Sequence, residues 1–374
     1  MTLKFSRMLP LAALTLFAVI TFTHALGARP MSWTDVGIAL VLVPVLFGTV
    51  FASVEHAEAV AHRIGEPAGT LLLTLAVTVI EVALIATLML QPAPNPTLAR
   101  DTVFSIIMIV CNGLVGLCIL LGGLKYREQG FVVAGASAYL AVIITLGTIT
   151  LVLPNYTQTV PGPYYSAMQL AMVSLMTAAL YGVFLYIQTV RHQAYFADGS
   201  GDGGGHAGGQ DATAGETAGR HATPGEIWPR LFWLAVSLLA VILLAKKFAV
   251  VVEATLGRLG APDGITGIIV ALLILAPEGA AAIRAARQDR LQRSLNLALG
   301  STLATIGLTI PAVALVNLVL QKELTLGLGP RDSVLLMLTF IISLVTFGTG
   351  RSNILLGLVH LVIFATYILF AFIP

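Results

Sequence analysis

The chain has 374 residues, of which 57% are hydrophobic and only 10% are charged, and its mean hydropathy is +0.93. A soluble protein carries about 25% charged residues, so the composition excludes a soluble core and predicts an all-α protein that crosses a membrane many times. The net charge of +2 is uninformative about nucleic acid, and no nucleic-acid partner is expected. The expected partner is the lipid bilayer, and nothing in the composition indicates an oligomeric state.

Eleven apolar stretches have roughly the 17–25 residues that a helix needs to cross about 30 Å of hydrocarbon. The first has the basic start and apolar run of a signal peptide, but the topology below requires that it is retained. The predicted spans are 8–27, 35–61, 66–90, 101–123, 131–153, 164–190, 230–252, 263–283, 294–319, 332–349 and 352–373.

The basic residues between the spans indicate an orientation. With the N-terminus inside, thirteen Lys and Arg residues fall on the inner side and five on the outer side, while Lys246 and Lys247 lie within a span. Because cytoplasmic loops carry the excess of Lys and Arg, the pattern favours a cytoplasmic N-terminus and an external C-terminus. The predicted location is a bacterial inner membrane.

A Gly-rich segment, residues 191–229, separates two groups of five spans, 35–190 and 230–374, while residues 1–34 carry the additional first span. The segment has almost no large apolar side chains, so it is predicted to be a flexible cytoplasmic linker. Residues 54–81 and 252–278 both begin Val-Glu, pass through Arg-(Ile/Leu)-Gly-x-Pro and end on a glutamate. Since the two groups start on opposite sides of the membrane, the pattern predicts inverted repeats.

Those two glutamates, Glu81 and Glu278, lie deep inside apolar spans, where a charged side chain costs about 2.5 kcal/mol or more. Each lies fifteen residues, or about 22 Å of helix, after Glu66 and Asp263 respectively. Since the helices run in opposite directions, both carboxylates can reach the same mid-membrane region. No basic residue follows within the spans until Arg284, so binding of cations or protons is favoured over a structural ion pair.

Two carboxylates offer four oxygens, whereas Ca²⁺ takes about 6–8, so neutral oxygens would have to complete a cation site. Pro277 is predicted to break its helix and to free the carbonyl of Leu273. Hydroxyl groups in membrane helices often bond their own or a neighbouring helix instead. The candidate side-chain oxygens are those of Thr78, Asn112, Ser301, Thr302 and Thr305.

Proton binding would compete with cation binding at the same place. Burial and mutual repulsion favour protonation of paired carboxylates when no cation is present, and a cation displaces those protons. This competition is the physical requirement for exchange. Glu55, Glu58, His56 and Glu253 lie near the ends of their spans and could form a proton or access path, with solvated interfacial charges as the alternative.

Two stretches carry a resemblance to a known family: VEHAEAVAHRIGEPAGTLLLTLAVTVIEVALI from residue 54, and ILAPEGAAAIRAARQDRLQRSLNLALGSTLATIGLTIP from residue 274. They resemble the calcium/cation–proton exchanger group of the cation/calcium antiporter superfamily, in particular its bacterial ChaA-type members. The resemblance extends over residues 35–373. It implies two inverted five-helix repeats, one extra N-terminal helix, and alternating access around Glu81 and Glu278.

The resemblance has one departure. Better-known exchangers carry Gly-Asn-Ala before each glutamate, whereas this chain has Val79-Ile80-Glu81 and Ala276-Pro277-Glu278. The loss of two amide ligands suits ChaA-type proteins, which are associated with Na⁺ and K⁺ as well as Ca²⁺. The prediction is a secondary antiporter that exchanges Ca²⁺, Na⁺ or K⁺ for protons and needs no cofactor. The alternatives are a cation channel and an intramembrane enzyme that uses two carboxylates.

Overall fold

A computed structural model describes residues 3–23, 33–64, 68–89, 96–197, 224–262, 264–320 and 324–373. Within those residues, nine helices are long and apolar enough to cross a membrane, and two apolar helices, Ser6–Phe22 and Leu72–Thr87, are shorter. The prediction of a helical protein with many membrane spans is confirmed. The count of eleven stays a prediction.

The helices follow the predicted spans closely. Their bounds are α1 Leu3–Phe22, α2 Trp33–Ile64, α3 Ala68–Met89, α4 Leu98–Met108, α5 Val115–Tyr126, α6 Val133–Gly147, α7 Ala167–Tyr186, α8 Pro224–Leu259, α9 Gly264–Ala286, α10 Leu291–Ala304, α11 Ile310–Leu320, α12 Pro330–Phe347 and α13 Ile354–Phe372. Short 3₁₀ turns cover Leu153–Tyr156 and Gln193–Tyr195.

Several helices contain a π-helical segment. Ile109–Leu114 joins α4 to α5, and Thr305–Thr309 joins α10 to α11, so each pair forms one continuous rod. Thr148–Val152 and Ile187–Arg191 extend α6 and α7. Single π turns inside α-helices are frequent at functional sites because they change the direction in which side chains project.

Helix α8 begins at Pro224, six residues before the predicted span. Proline is favoured at the first position of a helix because its missing N–H would have no helical acceptor there. The last residues of the predicted linker, 224–229, are therefore helical, and residues 191–197 form helical turns. The rest of the linker, 198–223, lies outside the described residues.

Loops gather at two ends of the helical bundle. The first, called the Gln129 end, contains residues 125–132, 286–292 and 349–353. There Gln129 donates a hydrogen bond from Nε2 to the carbonyl of Ala286 at 3.1 Å. The second, called the Asp101 end, contains residues 96–101, 151–163 and 324–332.

The strands β1 (Gln129–Gly130) and β2 (Arg351–Ser352) pair antiparallel at the Gln129 end. At the Asp101 end, Arg100 donates from Nη1 to the carbonyl of Gly327 at 3.1 Å. These contacts between distant parts of the chain fix which loops share an end of the bundle.

Helices α3 and α9 run in opposite directions. Helix α9 begins at the Asp101 end, where Gly267 lies against the backbone of Asp101. Helix α3 ends there, because only eight residues separate Met89 from Leu98, the start of α4. The starts of α3 and α9 are therefore at opposite ends of the bundle.

Helices α5 and α13 approach closely through two glycines. A Cβ at Gly357 would lie 2.9 Å from the carbonyl oxygen of Gly116, and one at Gly116 would lie 3.0 Å from the carbonyl oxygen of Gly357. Small residues allow this approach, which is a common device for packing membrane helices without a hydrophobic driving force.

Substituting Gly357→Val should therefore lower the stability of the fold. The added side chain meets backbone atoms that cannot rotate away, and overpacking typically costs about 1–3 kcal/mol. The measurement is the midpoint of thermal unfolding of the purified protein in detergent, expected to fall by a few degrees. Gly182→Val is the matched control, because nothing lies within 4 Å of the Cβ position at Gly182. Equal midpoints for the two variants would contradict the prediction.

Candidate cation site

Glu81 lies in α3, thirteen residues or about 20 Å from the start of the helix at Ala68. Glu278 lies fourteen residues, or about 21 Å, after Gly264 in α9. Because the two helices start at opposite ends of the bundle, both carboxylates lie near mid-height. They are close enough to interact electrostatically.

The carboxyl group of Glu81 is enclosed, with only 1% of the residue exposed. Thr305, in the π-helical segment after α10, donates a hydrogen bond from Oγ1 to Glu81 Oε2 at 3.0 Å. Within the described residues, Glu81 Oε1 has no hydrogen-bond partner. An ionised carboxylate buried in this way costs several kcal/mol unless a cation or further donors accompany it.

Glu278 is half-buried, but its Oε2 atom is buried and has no hydrogen-bond partner in the part of the chain that the structure describes. Neither glutamate forms a salt bridge with a described residue. No described Lys or Arg therefore compensates their charges by an ion pair. The arrangement suits a bound cation or a proton.

Helix α9 continues without interruption from Gly264 through Pro277 to Ala286, whereas the sequence predicts a helix break at Pro277. Proline lacks an N–H, so the carbonyl of Leu273 has no helical donor four residues later even though the helix continues. Leu273 is fully buried. Its carbonyl as a cation ligand stays a prediction.

Two of the predicted hydroxyl ligands are bonded within their own helices. Thr78 donates to the carbonyl of Thr74 at 2.9 Å, and Thr302 donates to the carbonyl of Ala298 at 3.3 Å. Ser301 is half-buried. Of the predicted hydroxyls, Thr305 alone donates to either glutamate in the described residues.

Asn112, another predicted ligand, is fully buried in the π-helical segment Ile109–Leu114 and is engaged elsewhere. Its Nδ2 donates to Thr339 Oγ1 at 2.8 Å, and its Oδ1 lies 3.2 Å from Nδ1 of His360. An amide oxygen only accepts, so Nδ1 of His360 carries the proton. Nε2 of His360 then accepts from Thr346 Oγ1 at 3.0 Å.

Sequence reasoning missed His360 and Thr309. Thr309 is fully buried beside the glutamate pair, where its hydroxyl interacts with the Glu81 carboxyl. One signal could have identified it: Thr309 follows Glu278 by thirty-one residues, the same interval that separates Asn112 from Glu81. No comparable pattern points to His360, because its partners lie on other helices.

The predicted access residues differ in their surroundings. Glu58 is exposed and interacts electrostatically with Glu55, Arg293 and Glu278. Helix α2 ends at the Gln129 end, since the start of α3 packs against its last turn. Glu58 and Glu55 therefore lie in the half of α2 that is nearer the Gln129 end, and Glu58 faces Glu278.

His56 belongs to a different contact. It is buried, its Nε2 lies 3.0 Å from Ser6 Oγ in α1, and its ring stacks on Trp233 of α8 with centroids 6.4 Å apart. The backbone of Glu253 lies in α8, but its side chain lies outside the described residues. Only the first repeat therefore has described acidic side chains on the proposed path.

The donor set at the glutamate pair consists of carboxylate and hydroxyl oxygens. In the described parts of the chain, no three His, Cys, Asp or Glu residues are grouped so that they could hold a metal ion together. Oxygen ligands suit hard cations such as Ca²⁺ and Mg²⁺ and do not select the soft transition metals.

The family model for the sodium/calcium exchanger protein matches residues 33–190 and 230–373. These two segments contain both glutamates and exclude the Gly-rich segment between them. The chain belongs to the sodium/calcium exchanger protein family. Membership confirms the predicted cation/calcium antiporter superfamily and a transporter rather than an enzyme.

Relatives cover nearly the whole chain. The y4hA protein of Sinorhizobium fredii is 43% identical, covering 96% of this chain and 93% of that protein. The sodium-potassium/proton antiporter ChaA of Escherichia coli is 40% identical, covering 89% of this chain and 88% of that protein. The solved structure of YfkE, a Ca²⁺/H⁺ antiporter, has a TM-score of 0.69 at 18% identity and covers 98% of this chain and 99% of that chain, which shows a shared fold.

The buried contact between Asn112 and His360 generates a stability prediction. His360→Leu should leave the Asn112 oxygen and the Thr346 hydroxyl unpaired, and each unpaired buried polar group costs about 1–3 kcal/mol. The expected result is a lower midpoint of thermal unfolding in detergent. His192→Leu is the control, since His192 is only half-buried and stacks on Tyr195 at 4.9 Å. A midpoint for His360→Leu at or above that of the control would refute the prediction.

Proposed function

We propose that this protein is a secondary antiporter that moves Ca²⁺, Na⁺ or K⁺ across a bacterial inner membrane in exchange for protons. The observation that carries the proposal is the pairing of Glu81 and Glu278 at mid-height. Both are uncompensated by basic groups in the described chain and both have oxygens without a hydrogen-bond partner. The electrochemical proton gradient supplies the energy.

Exchange follows from the electrostatics of the pair. Two ionised carboxylates in a region of low dielectric repel each other, and either protons or a cation relieve that repulsion. The loaded site carries less charge than the empty ionised site, so it can change its exposure from one side of the membrane to the other at a lower cost. An empty, ionised site cannot make the same change easily, which couples the two fluxes.

The proposed layout is eleven membrane helices, with one N-terminal helix followed by two inverted five-helix repeats, 35–190 and 230–374. The antiparallel course of α3 and α9 supports the inversion, as does the equal spacing of Asn112 and Thr309 from the two glutamates. The Gln129 end carries Lys125, Arg127, Arg284, Arg287 and Arg290, so the positive-inside rule assigns it to the cytoplasm. The N-terminus would then be cytoplasmic and the C-terminus external.

The relatives support more than one cation. ChaA is a sodium-potassium/proton antiporter by name, and YfkE is a Ca²⁺/H⁺ antiporter. The absence of an amide ligand before each glutamate leaves fewer oxygens than a strict Ca²⁺ site needs, which suits monovalent cations as well. Family membership does not favour a channel, and the enclosure of Glu81 argues against a continuous open pore.

The direct test is cation-driven proton movement in everted membrane vesicles, with Ca²⁺, Na⁺ and K⁺ added separately. Dissipation of an imposed proton gradient by at least one of these ions is expected for the wild type. Glu81→Gln and Glu278→Gln should each abolish it, because a neutral amide can neither bind a proton in exchange nor compensate a cation charge. No response of the wild type to any of the three ions would overturn the proposal.

Glu128→Gln provides the matched control for both substitutions. Glu128 lies at the Gln129 end with 58% of its side chain exposed and pairs with Arg351 at 3.7 Å. Its loss should leave exchange unchanged, since exposed ion pairs contribute little. Exchange that survives Glu81→Gln or Glu278→Gln would move the site elsewhere in the bundle.

A separate prediction concerns the access path. We propose that Glu58 and Glu55 attract cations toward Glu278 from the cytoplasmic side. Glu58→Gln should lower the rate of exchange at low cation concentration by roughly tenfold, because negative charge at a pathway mouth raises the local cation concentration. High ionic strength should reduce the difference between the variant and the wild type. Equal rates at low ionic strength would remove Glu58 from the path.

A further inference from the structure

We propose that Thr309 is a neutral ligand of the transported cation and binds it through Oγ1, between Glu81 and Glu278. This inference deepens the proposed function and depends on it. Thr309 lies in the rod formed by α10, its π-helical segment and α11. The ligands predicted from the sequence in this rod are Ser301, Thr302 and Thr305, and Thr309 is not among them. The substrate class is a hard cation that accepts hydroxyl oxygen beside carboxylate oxygen.

Three oxygens around the pair lack hydrogen-bond partners in the described residues: Glu81 Oε1, Glu278 Oε2 and Thr309 Oγ1. Thr309 is 0% exposed and Glu81 is 1% exposed, so bulk water does not reach either group. Buried polar groups are nearly always hydrogen-bonded, and exceptions that occur together call for an explanation. A cation between these oxygens satisfies all three.

Thr309 also departs from the usual behaviour of buried threonines in this bundle. Thr49, Thr150 and Thr177 are each buried and each donate to the carbonyl four residues earlier in their own helix. That bond is the common way in which a membrane helix satisfies a hydroxyl group. Thr309 does not make it. Its hydroxyl oxygen is therefore available to a ligand.

The interval of four residues explains why two threonines lie beside one carboxylate, because residues four apart share a face in an α-helix as well as in a π turn. In a π turn the backbone bonds run from residue i to residue i+5, so residues four or five apart project to nearly the same side. Thr305 and Thr309 begin and end the π-helical segment after α10. Thr305 donates a hydrogen bond to Oε2 of Glu81 at 3.0 Å. Oε1 of Glu81 and Oγ1 of Thr309 have no hydrogen-bond partner among the described residues.

The equivalent position in the first half supports the assignment by contrast. Asn112 lies thirty-one residues after Glu81, as Thr309 does after Glu278, but its amide oxygen accepts from His360 and its amide nitrogen donates to Thr339. The Thr309 hydroxyl faces the Glu81 carboxyl, and of the two equivalent residues only Thr309 has an oxygen that accepts no hydrogen bond from a described donor. The neutral ligand is therefore expected from the second half.

The experiment compares Thr309→Val with the wild type in everted vesicles, using the cation among Na⁺, K⁺ and Ca²⁺ that dissipates the proton gradient in the wild type. Valine keeps the shape of threonine and removes only the oxygen. The expected result is an increase of about tenfold in the cation concentration for half-maximal exchange, with the maximal rate retained, which corresponds to about 1.4 kcal/mol of binding. Thr309→Ser, which restores a hydroxyl, should return the value toward that of the wild type.

Thr150→Val is the matched control. Thr150 is also a fully buried threonine in a π-helical segment, but its hydroxyl is bonded to the carbonyl of Leu146. Purified variants should elute as single symmetric species, which separates binding from folding. If Thr309→Val keeps the half-maximal cation concentration of the wild type, the assignment of Thr309 is wrong while the exchange function stands. The same conclusion follows if Thr309→Val and Thr150→Val both lose only maximal rate, because a packing defect explains that loss. A wild type that moves no protons would instead overturn the proposed function.

Discussion

Two carboxyl groups in the interior of the bundle, neither of which forms an ion pair with a described basic residue, are the constraint on which this structure depends. Hydrocarbon cannot solvate an ionised carboxylate, so Glu81 and Glu278 require a cation, a proton or donors from neighbouring helices. The antiparallel course of α3 and α9 brings both of them near mid-height. The π-helical segment after α10 turns Thr305 toward Glu81. Each of these features serves the same pair, and none of them neutralises it permanently, which is what a site that must release its cargo needs.

The two halves of the chain share spacing but differ in chemistry. Thr305 follows Glu278 by twenty-seven residues, and Met108 follows Glu81 by the same interval. Thr309 and Asn112 follow the same two glutamates by thirty-one residues. The second half therefore contributes hydroxyl oxygens, while the first contributes a thioether and an amide that is bonded to another helix. The proposed inverted repeats, with unequal donors, would give a site with fewer oxygens than two identical halves would supply. That shortage is consistent with a cation that keeps part of its hydration or has a single charge.

Much of the fold and the two central residues could be predicted from the sequence, because long apolar runs and the two carboxylates within them are local signals. Thr305 was also among the predicted ligands. The engagement of Asn112 by His360 could not be predicted, since it joins residues 248 positions apart through helix packing. Thr309 was missed although it stands one turn after Thr305 and follows Glu278 at the interval that separates Asn112 from Glu81. The predicted helix break at Pro277 differs from the continuous helix α9, since a proline removes a hydrogen bond without necessarily ending a helix.

The two glutamates differ in how deeply they are buried, and this difference bears on the order in which a cation would meet them. Glu81 is sealed, whereas Glu278 is half-buried and interacts with Glu58, which lies toward the Gln129 end. In the proposed mechanism, a cation that arrives from this end meets Glu278 before Glu81. It must lose most of its water before Glu81 can replace that water with carboxylate oxygen, and the protons held by the pair leave as it does so. If the more enclosed carboxylate is reached through the less enclosed one, as this proposal requires, the cation and the protons exchange at one place in sequence. Transport of the cation alone or of protons alone would require the two glutamates to be ionised and empty while access switches between the two sides of the membrane. The cost of burying two like charges opposes that step.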